Sequence, residues 1–94
     1  MAAIYQKRGC TMIFYPGAFG LTTGPAHWEL LTRSRALDNQ LYVAAISPAR
    51  NPEAEIVVWG YSTMVNPYGE IICKAGLNEE IVYADIGILT YFKR

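Results

Sequence analysis

At 94 residues the chain has room for one small domain, since a core of this size buries only about two-thirds of the surface its unfolded form exposes. Eight Lys and Arg balance eight Asp and Glu without a block of like charge, which argues against a nucleic-acid backbone or an acidic lipid surface as partner. Hydrophobic residues make up 52%, above the roughly 45–50% usual for soluble chains, so disorder is disfavoured and a packed, sheet-rich interior is favoured.

In chain order, "AAIYQKR" (residues 2–8) reads as a short helix closed by Gly9, because glycine enters the left-handed conformation at no Cβ cost. It is either the end of a longer helix or an ordinary terminal turn. "TMIFYP" (11–16) is a continuous apolar run rich in β-formers, which predicts a strand buried on both faces. "GAFGLTTG" (17–24) is a loop, and Pro25 opens a helix to about Gln40, capped by Gly24 or Thr23. On that helix Ala26, Leu30, Ser34 and Leu37 share one stripe with Leu41 and are the expected packing face. Glu29 and Arg33 stand four apart, as an ion pair requires. "LYVAAISP" (41–48) is a second buried strand and "ARNPEAE" a polar surface loop. Three further strands are expected in "IVVWGYSTMV" (bent at Gly60), "EIICKAG" and "EIVYADI", with "NPYG" (66–69) a turn between the first two. The order predicts an α/β layered domain with a mixed, mostly antiparallel sheet and one main helix.

Few residues suggest chemistry by themselves. Cys10 and Cys73 form no CxxC pair and follow no secretory leader, which points to free thiols in a reducing compartment. No apolar run approaches the ~18 residues of a membrane span, so a soluble protein is expected, cytoplasmic with a mitochondrial location as the alternative, and with no membrane partner. A Cys–His nucleophile would need Cys10 activated to thiolate. Cys10 instead follows a helix end, whose partial negative charge opposes ionisation, and it and Cys73 read as structural. His27 lacks a second His, Cys or carboxylate at metal-ligand spacing and reads as a hydrogen-bonded structural histidine. Trp28 and Trp59 read as core or interface aromatics. Glu29 and Asp38 have Arg33 and Arg35 nearby in sequence, which suits ion pairing better than proton donation.

"YPGAFGLTTGPAHWELLTRSRALDNQLYVAAISPAR" and "WGYSTMVNPYGEIICKAG" resemble the carbon–nitrogen hydrolase (nitrilase) superfamily, in its omega-amidase branch. The shared features are Pro-x-Ala-Phe, Thr-Gly-x-x-His-Trp, Arg-x-Arg-Ala, Asp-Asn-Gln and Asn-Pro-x-Gly-Glu. The resemblance covers the second half of a family member over residues 1–86, leaving 87–94 as a divergent tail. It implies half of a four-layer αββα sandwich, a homo-oligomer, and no metal or organic cofactor. It implies a Glu, Lys, Cys catalytic set acting on a small-molecule amide, alpha-ketoglutaramate or alpha-ketosuccinamate, to give a dicarboxylate and ammonia. By the resemblance, that set belongs before Met1. Cys10 matches a non-catalytic cysteine and Glu29 a structural glutamate paired with an arginine, so no catalytic residue is expected here. Phe19 and Thr23 match substrate-contacting positions, with Gly17, Ala18 and His27 nearby. The chain is then expected to be inactive alone. The rival expectations are an interaction module that pairs with full-length homologues and a gene-model product without function.

Overall fold

The computed structural model describes residues 2–87; most of the expected divergent tail therefore lies outside the described residues. Helix α1 (Ala2–Lys7) is followed by β1 (Met12–Pro16), a π-helical turn (Gly24–Trp28), α2 (Glu29–Asn39), β2 (Tyr42–Ile46), β3 (Thr63–Val65) and β4 (Ile71–Lys74). The four strands form one mixed sheet in the order β1-β2-β3-β4. β1 and β2 are parallel and joined by the α2 crossover, whereas β2–β3 and β3–β4 are antiparallel. The expected mixed α/β layering is thus present, with one helical layer on one sheet. No helix of the described residues is long and apolar enough to cross a membrane.

Local chemistry accounts for the element ends. Gly9 closes α1 at φ +87°, and its amide and that of Cys10 donate to the carbonyls of Gln6 and Tyr5, both at 3.1 Å. Gln40 ends α2 in the left-handed conformation, its amide satisfying the Ala36 and Leu37 carbonyls. The Asn66 side chain organises the β3–β4 turn: its Oδ1 accepts from the Tyr68 and Glu70 amides, each at 3.0 Å. Gly69 takes φ +78° there, and Arg33 Nε donates to its carbonyl at 2.7 Å, tying the turn to α2.

The core forms where α2 crosses the sheet, around the fully buried Ala36, Val43 and Val65, with Tyr15 packed against them. This reverses the expected helix face. The buried positions of the helical stretch are Gly24, Trp28, Thr32 and Ala36, while Leu30 and Leu37 are 64% and 53% exposed. Only Leu41 of the expected stripe is fully buried, and it lies beyond the helix. Small residues at Thr32 and Ala36 let the helix approach the sheet closely, and the Thr32 hydroxyl is satisfied by the Trp28 carbonyl at 2.7 Å.

Two strand expectations also change. In "IVVWGYSTMV" only Thr63–Val65 joins the sheet, because Gly60 and Tyr61 both take positive φ, +82° and +57°, and turn the chain. A left-handed tyrosine costs on the order of 1–2 kcal/mol. It is held by its carbonyl, which accepts from Trp28 Nε1 at 2.8 Å and Thr63 Oγ1 at 2.6 Å. "EIVYADI" makes no ladder. It crosses the sheet face opposite α2, where Val82 sits beside Ala44, Met64 and Cys73 and the Tyr42 hydroxyl accepts the Gly87 amide at 2.9 Å. β1 is not buried on both faces as expected: Phe14, on the side away from α2, is 60% exposed.

Candidate functional site

The loop after β1 is built by close backbone approach. Gly17 extends the parallel ladder, its amide donating to the Ile46 carbonyl at 2.8 Å. A Cβ on Gly17 would come within 3.1 Å of the Trp28 ring, so the strand end lies directly on that indole. The Phe19 ring meets Trp28 edge-on, with centroids 5.1 Å apart at 71°, a favoured aromatic geometry. Trp28 is itself 4% exposed and fixed by its bond to Tyr61. Together Tyr15, Phe19, Trp28, Leu31 and Ala45 bound an open cavity of about 230 Å³, with Arg35 at its wall. Aromatic walls with one guanidinium suit a small ligand that is partly apolar and partly anionic.

The loop is pinned from the far side by Trp59. Its amide donates to the Phe19 carbonyl at 2.7 Å, Gly20 bridges Val58, and the Trp59 ring packs where a side chain on Gly24 would stand. Gly24 in turn donates to the Gly20 carbonyl at 2.8 Å, starting the π-helical turn. Sequence reading left Trp59 as an undifferentiated aromatic. Its partners lie 35 to 40 positions earlier, and no local pattern links them.

The candidate residues separate accordingly. Phe19 and Gly17 line the cavity; Thr23 does not belong to that lining. Thr23 is exposed at the start of the helical stretch with φ −79°, and its side chain makes no capping bond, contrary to one of the two expected caps. Ala18 and His27 are exposed. The expected hydrogen bond of His27 is absent among the described residues, because the π-helical turn points it away from the packed face.

The thiol and carboxylate expectations sort by position. Cys10 Sγ donates to the Met12 carbonyl at 3.0 Å, at the opposite end of β1 from the loop. Five strand residues span roughly 16 Å, so Cys10 and His27 do not form a pair. Both cysteines are free and half-buried. Glu29 pairs with Lys74 at 3.1 Å and not with Arg33, whose Nε is bonded to Gly69. With side chains 40% and 44% exposed, the pair is worth under about 1 kcal/mol. Among the described residues no three His, Cys, Asp or Glu side chains are grouped to hold a metal.

Comparison with known proteins places this geometry. The carbon–nitrogen hydrolase family model matches residues 1–90. Omega-amidase NIT2 of Homo sapiens is 64% identical over 88 residues, which are 94% of this chain and 32% of the relative. The chain therefore spans about a third of the length of that relative. Among solved structures, Nit3 of Saccharomyces cerevisiae, a member of branch 10 of the nitrilase superfamily, superposes with a TM-score of 0.82 at 47% identity, over 84% of this chain and 29% of the other. A mutant amidase of Nesterenkonia sp. AN1, which shows covalent addition of the acetamide moiety of fluoroacetamide at its active site cysteine, superposes with a TM-score of 0.65 at 25% identity, over 83% of this chain and 29% of the other. A match along nearly the whole sequence, together with the sheet and helix arrangement, shows that the chain belongs to the carbon–nitrogen hydrolase family.

Proposed function

We propose that this chain is the substrate-wall portion of an omega-amidase-type amidohydrolase acting on alpha-ketoglutaramate or alpha-ketosuccinamate, and that it is inactive alone. The observation that carries the reading is the 64% identity to an omega-amidase along 94% of the chain. In the reaction implied by the resemblance, a cysteine thiolate adds to the amide carbonyl, ammonia leaves with a proton delivered by the general acid, and water cleaves the thioester to the carboxylate and regenerates the thiol. Phe19 forms an aromatic wall for the substrate in this reading, whereas Thr23, outside the cavity lining, would meet substrate only from the exposed end of the same loop. In this reading Cys10 is a structural thiol, which is supported by its Sγ donating to the Met12 carbonyl, at the end of β1 opposite the loop. The purified chain is expected to release no ammonia from alpha-ketoglutaramate. Release that survives Cys10→Ala would overturn the inactivity, and release abolished by Cys10→Ala would make Cys10 the nucleophile.

A second reading, an interaction module that pairs with full-length homologues, is favoured by exposed apolar side chains at Phe14, Leu30 and Leu37. Mixing the chain with a full-length omega-amidase tests it. The absence of both co-migration and altered activity would remove the idea.

A further inference from the structure

Arg50 lies in what the sequence presents as a polar surface loop, yet its guanidinium faces inward. Its Nε donates to the Val58 carbonyl at 3.1 Å and its Nη2 to the Trp59 carbonyl at 2.6 Å. The same group lies over the Trp59 ring at 5.0 Å and the Tyr61 ring at 5.9 Å. Its own amide is held by the Leu77 carbonyl at 2.8 Å. Among the described residues it has no carboxylate partner, so the cation is committed to two successive backbone carbonyls and two aromatic faces.

The two residues it grips are the ones that hold the loop after β1: Val58 bridges Gly20, and Trp59 donates to the Phe19 carbonyl while its ring covers Gly24. We propose that Arg50 is a positioning residue for the cavity, acting through Val58 and Trp59 to set the place of Phe19. A planar fork makes both bonds while stacked, which a lysine ammonium does not reproduce. The inference rests on the proposed substrate role of the Phe19 loop, so its test separates the two.

Backbone amide exchange in the 94-residue chain reads the brace directly. Arg50→Met is expected to speed exchange at the Trp59 and Gly24 amides at least about tenfold, because both charge-assisted hydrogen bonds, to the Val58 and Trp59 carbonyls, are lost, while Val43 and Val65 in the core keep their protection. Arg50→Lys is expected to give a smaller, intermediate rise at the same two amides. Unchanged exchange at Trp59 and Gly24 in Arg50→Met overturns the proposal, as does a rise shared equally with Val43 and Val65 in both variants. The catalytic consequence is read in a chimaera in which this chain replaces the matching segment of the human omega-amidase. There Arg50→Met is expected to raise KM for alpha-ketoglutaramate about tenfold with kcat nearly unchanged, the mark of lost uniform binding, and Arg50→Lys to restore part of it. Selective exchange at Trp59 and Gly24 with an unaltered KM overturns the substrate role of the loop and leaves only the brace.

Discussion

Gly24 and Trp59 show how one missing side chain shapes the candidate site. Any Cβ at Gly24 would overlap the Trp59 ring, so the tryptophan can cover the loop only because this position is glycine. Gly24→Ala is expected to lower stability by about 1–3 kcal/mol through overpacking, seen as a lower urea midpoint together with altered tryptophan emission. Gly20 is the control, since open space surrounds its Cβ direction, and Gly20→Ala should stay within about 0.5 kcal/mol of the parent. At this scale the sequence placed Cys10 just after a helix end, and there its thiol donates to the Met12 carbonyl. The partners of Glu29 and Arg33 were not legible. Both side chains leave the helix for Lys74 and Gly69, and a bond across 36 or 45 positions leaves no spacing to read.

At the scale of elements, α2 has two faces that could each be its core face. The stripe through Leu30 and Leu37 is the more apolar, and periodicity selects it. The sheet takes Trp28, Thr32 and Ala36 instead. The π-helical turn at Gly24–Trp28 contributes to this, because it departs from the 3.6-residue period on which the stripe was counted. Ala36→Leu is therefore expected to cost about 1–3 kcal/mol, whereas Leu30→Ala should change stability by less than about 0.5 kcal/mol; paired urea denaturation curves check both. The strand expectations differ in the same way. β1, β2 and β4 coincide with their apolar runs, but the run around Gly60 is divided by two positive-φ residues, and the run from Glu80 lies across the sheet without joining it.

For the whole molecule, the chain belongs to a family whose compared members are about three times as long, and its sheet has one face under α2 and the other only partly covered by residues 82–87. Phe14 is left 60% exposed on that second face. An apolar face of this kind favours association, so Phe14→Asp is expected to reduce concentration-dependent self-association in sedimentation velocity without loss of the far-ultraviolet circular dichroism of the fold. What the sequence by itself determined was family, layering and most element positions, because these follow from motifs and from local backbone preference at Pro16, Gly9, Pro25 and the Asn66 turn. What only the tertiary structure decided was which helix face is buried, where the Trp59 ring rests, and that Arg50 turns inward to two carbonyls. Each of these depends on groups brought together from distant positions, where close packing and the need to satisfy buried polar atoms outweigh any preference written in neighbouring residues.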